Sequence, residues 1–219
     1  MPPFSQSATA KVFGIGLSRT GTKSLAYALH QMGIHIAHFP DDPVTFQELA
    51  TGSFRFSILN ALDGIADITV SSLYPQLDQY YPGSKFILTT RNKQDWLNSV
   101  EKHWAQYPCF NDPSRQKPED RVHMAMRQLL CATVYGSYVF NRERASYIYD
   151  LHHLNVQTYF ANRPNDLLLL DICGGDSWQK LCCFLQQPPL SDPFPNAREK
   201  TELISLMQTD RAIKSAALV

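Results

Sequence analysis

Seven consecutive residues, Ser18-Arg19-Thr20-Gly21-Thr22-Lys23-Ser24, join an apolar run to an amphipathic one. A tight turn at the start of a helix gathers backbone N–H groups and the positive end of the helix dipole at one point, which attracts an anion. Arg19 and Lys23 would add charge there, and Ser18, Thr20, Thr22 and Ser24 would add hydroxyl donors. The chemistry is phosphate or sulfate binding. Gly16 and Gly21 have the separation of the nucleotide-triphosphate P-loop, G-x-x-x-x-G-K-[ST], but Thr22 intervenes before Lys23-Ser24. The loop therefore has the wider P-loop shape without the ATPase spelling. An ordinary glycine turn with Arg19 in solvent is the plainer alternative.

A second anion pair is spaced for the same purpose. Arg91 ends an apolar run, and Ser99 lies eight residues later on the helix expected to follow. A guanidinium fork and a hydroxyl can then face one anion from adjacent elements. His152-His153 is not a chelating pair, since neighbouring helix positions point about 100° apart.

The elements that position these residues follow from their periods. Val12–Leu17 has the length of a buried strand, and Leu25, Ala28, Leu29 and Met32 mark one helix face ending at Gly33. Short strands are expected at His35–Phe39 and at the edge or loop Asp67–Val70, stronger ones at Lys85–Arg91 and Leu167–Ile172. Helices are expected at Thr45–Ala50, at Ser71–Tyr80, after an Asn92 cap with Trp96, Leu97, Val100 and Trp104 buried, and at Ser177–Gln186. Two more fill 121–160, a loop or lid covers 107–120, and a terminal helix spans Ala197–Ala217. Residues 57–66 show no clean period. Strands alternating with helices predict an α/β fold: a three-layer, P-loop-type parallel sheet flanked by helices. Ligands in such sheets sit at the C-terminal strand ends, where both anion motifs fall. The chain, 1–219, reads as a single domain with a helical cap over about 107–160.

Composition narrows the partners. The 20 Lys and Arg balance the 20 Asp and Glu, so no global field recruits nucleic acid or an anionic membrane. No apolar run is long enough to span a bilayer, and the first residues lack a signal-peptide pattern, so the expected location is cytoplasmic. Five cysteines without C-x-x-C or zinc spacing suit a reducing compartment, with thiols as core residues and no metal.

Three longer motifs carry a resemblance. Gly16–Leu25, Tyr81–Arg91 and Trp178–Phe194 match G-L-S-R-T-G-T-x-S-L, Y-P-x-S-K-F-I-L-T-x-R and W-x-x-L-C-x-F-L…P-F-P. Over about residues 11–196 the chain resembles the sulfotransferases that use 3′-phosphoadenosine-5′-phosphosulfate (PAPS). The resemblance implies that Ser18–Ser24 hold the 5′-phosphosulfate and that Arg91 and Ser99 hold the 3′-phosphate. Arg19 falls on the family's catalytic lysine, where it can neutralise charge but cannot donate a proton. Arg198 is the candidate to replace a glycine-rich closing segment that is not evident here. Asp67 occupies the place of the family's general-base histidine, with His38 and His152 as other candidates. The implied reaction moves a sulfuryl group in line to a hydroxyl or amine of a small-molecule acceptor, without a metal. A P-loop kinase or NTPase, with Asp171 as its magnesium ligand, and a non-catalytic nucleotide-binding protein are the alternatives. Neither the acceptor nor the oligomeric state is specified by the sequence.

Overall fold

The computed structural model describes residues 9–106 and 121–197. Five strands form one parallel sheet: β1 (Val12–Gly14), β2 (Ile36–His38), β3 (Gly64–Ala66), β4 (Lys85–Thr89) and β5 (Leu167–Leu170), in the spatial order β2-β3-β1-β4-β5. Every pairing is parallel. Among the described residues eight α-helices connect or cover them: α1 (Thr22–Gln31), α2 (Pro43–Ala50), α3 (Ile68–Ser71), α4 (Tyr74–Tyr80), α5 (Lys93–Gln106), α6 (Arg121–Leu130), α7 (Arg142–Tyr159) and α8 (Trp178–Leu185).

The strand residues alternate between two cores, as a sheet covered on both faces requires. Phe13, Ile65, Phe86 and Leu88 point to one face and meet Tyr74 and Leu77 of α4 with Val156 of α7 and Phe160 just beyond it. Ile36, Ala66, Ile87, Leu168 and Leu170 point to the other and meet Leu25 and Leu29 of α1 with Trp178 and Leu181 of α8. A third cluster stands over the carboxyl ends of the strands. There Leu17 and Ile68 pack with Trp96, Leu97 and Val100 of α5, Met126 and Leu130 of α6, and Ile148 and Tyr149 of α7. Through Leu17 and Ile68 this cluster holds the segments that follow β1 and β3.

Three expectations change. The middle strand is Gly64–Ala66, and the β-branched run after it, Ile68-Thr69-Val70, turns as α3 rather than extending as a strand edge. Asp67 explains the switch, because its carboxylate accepts the Ile68 N–H and starts the turn. Residues 131–135, after α6, form a π-turn closed by Gly136. Cys131 is disulfide-bonded, not a thiol, whereas Cys173, Cys182 and Cys183 are free. Among the described residues no helix is long and apolar enough to cross a membrane. The proposed lid at 107–120 and terminal helix at 197–217 lie almost wholly outside the described residues.

Candidate functional site

The loop from β1 to α1 is anchored at both sides. Ile15 N–H donates to Ile87 O (2.9 Å), which carries the β1–β4 pairing past the strand end. Trp96 Nε1 of α5 donates to Ser18 O (2.9 Å). Gly16 passes so close to β4 that a Cβ there would lie 1.9 Å from Thr89 Oγ1. Gly21 adopts φ +100°, a left-handed conformation open to glycine, and starts α1 without any side-chain cap. By contrast α2, α5 and α7 are capped by Asp42, Asn92 and Asn141. The first N–H groups of α1 therefore open on a cleft lined by Gly21, Thr22, Lys23 and Ser24. Thr20 departs from its expected role. Its hydroxyl is fully buried, bonded to Leu17 O and Thr89 Oγ1 (both 2.6 Å), so it braces the loop from beneath instead of facing a ligand.

The two anion motifs meet. Arg19 Nε donates to Ser99 Oγ (3.2 Å), and an Arg91 guanidinium N–H donates to Arg19 O (3.3 Å). Tyr149 of α7 donates its hydroxyl to Arg91 O and fixes the turn from which Arg91 projects. Arg19 and Arg91 both line the cleft, and Lys23 lines it above the Tyr27 ring.

Opposite them stands a buried carboxylate. Asp67 Oδ1 accepts from Ser18 Oγ and from Ile68 N–H (both 2.6 Å). Its Oδ2 accepts from Thr22 Oγ1 (3.1 Å) and lies 3.0 Å from His38 Nε2. Burial alone would raise the carboxyl pKa, but the hydrogen bond and charge of His38, with the Ser18 and Ile68 donors, hold it at about 2. The backbone there is strained. Asp67 sits at φ 84°, ψ −171°, a region populated almost entirely by glycine. Of the four non-glycine residues at positive φ among the described residues, three line the cleft: Arg19, Phe39 and Asp67. Such strain persists where surrounding contacts over-determine a conformation, as they do in functional sites.

The low pKa gives Asp67 a defined part in stability. A carboxyl whose folded value lies below its unfolded value contributes fully above the unfolded value, 3.8, and loses that contribution as pH falls towards 2. The shift is worth about 2 kcal/mol. Unfolding free energies from urea titrations at pH 5 and at pH 2 should differ more for the wild type than for Asp67→Asn, by about that amount. Parallel curves would contradict the assignment.

Two candidates leave the site. His152 lies outside the cleft, its Nε2 bonded to Ile15 O (2.8 Å) and its ring edge-on to Tyr74. Burial first, then His153, lowers its pKa to about 4. It ties α7 to the residue after β1, away from the cleft. Asp171 lines the cleft, but its Oδ1 accepts Gly174 N–H (2.8 Å) and caps the turn after β5. That leaves it poorly disposed as a magnesium ligand. Among the described residues no group of three His, Cys, Asp or Glu is arranged to hold a metal ion.

The opposite wall of the cleft comes from the Pro-Phe-Pro segment. Phe194 packs on Trp178 (centroids 4.8 Å apart), Trp178 Nε1 donates to Asp192 O (2.6 Å), and Ala197 N–H donates to Ser24 Oγ (3.0 Å). Residues 194–197 are thus strapped across the start of α1. Arg198 lies outside the described residues. The cleft, about 910 Å³, also takes in Phe39, Asp41, His103, His123 and Arg127, which sequence reasoning did not single out. Asp41 and His123 belong to distant segments. Arg127 sits between Met126 and Leu130, whose spacing reads as core.

The sulfotransferase domain family matches residues 11–203, nearly the whole described chain. The chain is a sulfotransferase-family protein. This sulfotransferase is 26% identical over 211 residues to the Ava biosynthesis cluster protein M of Aspergillus versicolor, covering 85% of this chain and 80% of that one. Its fold is similar to the crystal structure of a sulfotransferase from Alicyclobacillus acidocaldarius, at TM-score 0.52 and 18% identity over 95% of both chains. In this sulfotransferase-family chain the loop, the carboxylate–imidazole pair and the strapped segment share one opening at the carboxyl ends of the strands.

Proposed function

We propose that the protein transfers the sulfuryl group of PAPS to a hydroxyl or amine of a small-molecule acceptor. The observation that supports this most is one cleft holding both an uncapped helix start flanked by Arg19, Lys23 and Arg91 and, 3.0 Å apart, Asp67 and His38. The donor set suits PAPS. Backbone N–H groups of 21–24 with Arg19 and Lys23 would take the 5′-phosphosulfate, and Arg91 with Ser99 the 3′-phosphate. PAPS supplies an activated sulfuryl group and 3′-phosphoadenosine 5′-phosphate (PAP) as its leaving group.

The chain's own residues supply the rest. His38, in the cleft beside Asp67, takes the acceptor proton as general base while the acceptor atom bonds to sulfur and the bond from sulfur to the leaving phosphate breaks. Asp67 does not take that proton. Its oxygens already accept from Ser18, Thr22 and Ile68. It orients His38 instead, and it stabilises the imidazolium as the proton arrives. Arg19 stabilises the charge that builds on the oxygens around sulfur and on the departing phosphate, without giving up a proton.

Calorimetric titration of the whole chain with PAP, without magnesium, tests the cofactor assignment. PAP should bind, and Arg91→Ala should weaken binding about tenfold or more, the scale of a lost charged hydrogen bond. Magnesium-dependent ATP binding with no PAP binding would move the protein to the kinases.

A further inference from the structure

Tyr135 carries a hydroxyl that the site described above does not use. The residue ends the π-turn after α6, a rare conformation that is frequent at functional sites. Arg144 Nε of α7 donates to its carbonyl (2.9 Å), and the Trp104 ring of α5 meets its ring edge-on at 5.4 Å. Backbone and ring are both held. The residue is 3% exposed and packs in the cluster that contains Leu17, which precedes Ser18, and Ile68, which follows Asp67. Burial, then the Asp67 charge, raise its pKa, whereas the Ser18 hydroxyl and backbone lower it. The group is thus a protonated donor beside Ser18. Among the described residues, however, it has no partner at hydrogen-bond distance. A buried hydroxyl left so is costly and calls for an explanation.

The pattern of donors supplies one. Ser18 Oγ gives its single proton to Asp67 Oδ1 (2.6 Å), so towards Tyr135 that oxygen can only accept. We propose that Tyr135 is a positioning residue for the donor loop: when an anion occupies the loop, the Tyr135 hydroxyl bonds to Ser18 Oγ and completes the line Tyr135–Ser18–Asp67–His38. The inference rests on the sulfuryl-transfer reading above. Hydrogen bonds at a reaction centre are often long until the ligand is in place. Ser18 is where such tightening can act, because it joins Leu17, fixed in the core, to the cleft-lining residues 19 and 21–24. Once formed, the line is directional. Each hydroxyl donates towards the carboxylate, and each bond strengthens the next. Asp67, and with it His38, is then held in place in the loaded enzyme.

The test is calorimetric titration of the whole chain with PAP. Tyr135→Phe, which removes only the hydroxyl, should weaken PAP binding about threefold to tenfold, the scale of one neutral hydrogen bond. Its melting temperature without PAP should equal or exceed that of the wild type, since no bond is lost there, and this also shows that the variant folds. In a Ser18→Ala background the same substitution should change PAP affinity by less than about twofold, because the two residues act through one bond. Wild-type PAP affinity in Tyr135→Phe, a lower melting temperature without PAP, or an equal loss of affinity in both backgrounds overturns the positioning role and leaves the sulfuryl-transfer reading intact. Failure of the wild type to bind PAP overturns both.

Discussion

Replacing His38 by Ala is expected to lower kcat for sulfuryl transfer by about 10²–10⁴-fold, the range a positioned general base contributes. PAP affinity should change little, because His38 faces Asp67 and Thr22 rather than Arg19 or Arg91. Free imidazole added to the assay should restore a measurable part of the lost rate, which a purely structural loss would not permit. Asp67→Asn should lower kcat by a comparable factor. The double variant should be scarcely worse than either single one, because groups acting as a unit are non-additive. If His38→Ala turns over at the wild-type rate while Asp67→Asn is dead, the carboxylate itself is the base and the roles reverse.

Arg19→Ala carries the second large effect. Removing a cation aimed at developing charge is expected to cost about 10²–10³-fold in kcat. Arg19→Lys should recover much of this, since a point charge survives while the Nε contact to Ser99 is lost. Arg19 also sits at φ 72°, where a side chain costs roughly 1–2 kcal/mol. Arg19→Gly removes the charge and relieves the backbone together. Its melting temperature should therefore equal or exceed that of the wild type while its turnover matches Arg19→Ala. A variant both inactive and markedly less stable would show that Arg19 holds the loop and does not serve the chemistry.

The strand–turn–helix frame around Arg19 was legible because it is local. A strand, a glycine turn and a helix within Lys11–Gly33 state their own geometry, and the Asn92 cap and β4 do the same around Arg91. What escaped depends on distance in sequence. The middle strand is three residues, Gly64-Ile65-Ala66, too short and too small in side chains to show a period. Ile68-Thr69-Val70 has strand propensity that the Asp67 cap and burial override. Asp67 and His38 were each noticed, but their pairing was not, since 29 residues separate them and only the β2–β3 register brings them together. His152 misled for the opposite reason. A histidine on a helix gives no sign of which buried carbonyl it will meet, and this one meets Ile15 O.

The register of β2 has a practical consequence. This strand has three residues, stands at the border of the sheet and pairs with β3 alone, with His38 opposite Ala66, next to Asp67. Sliding it by one residue would leave most of the sheet intact but turn the imidazole to the opposite face. Refolded material could thus recover full circular dichroism and a sound elution volume while some molecules are catalytically silent. The yield of a preparation is better counted in working sites per mole than in milligrams of folded chain.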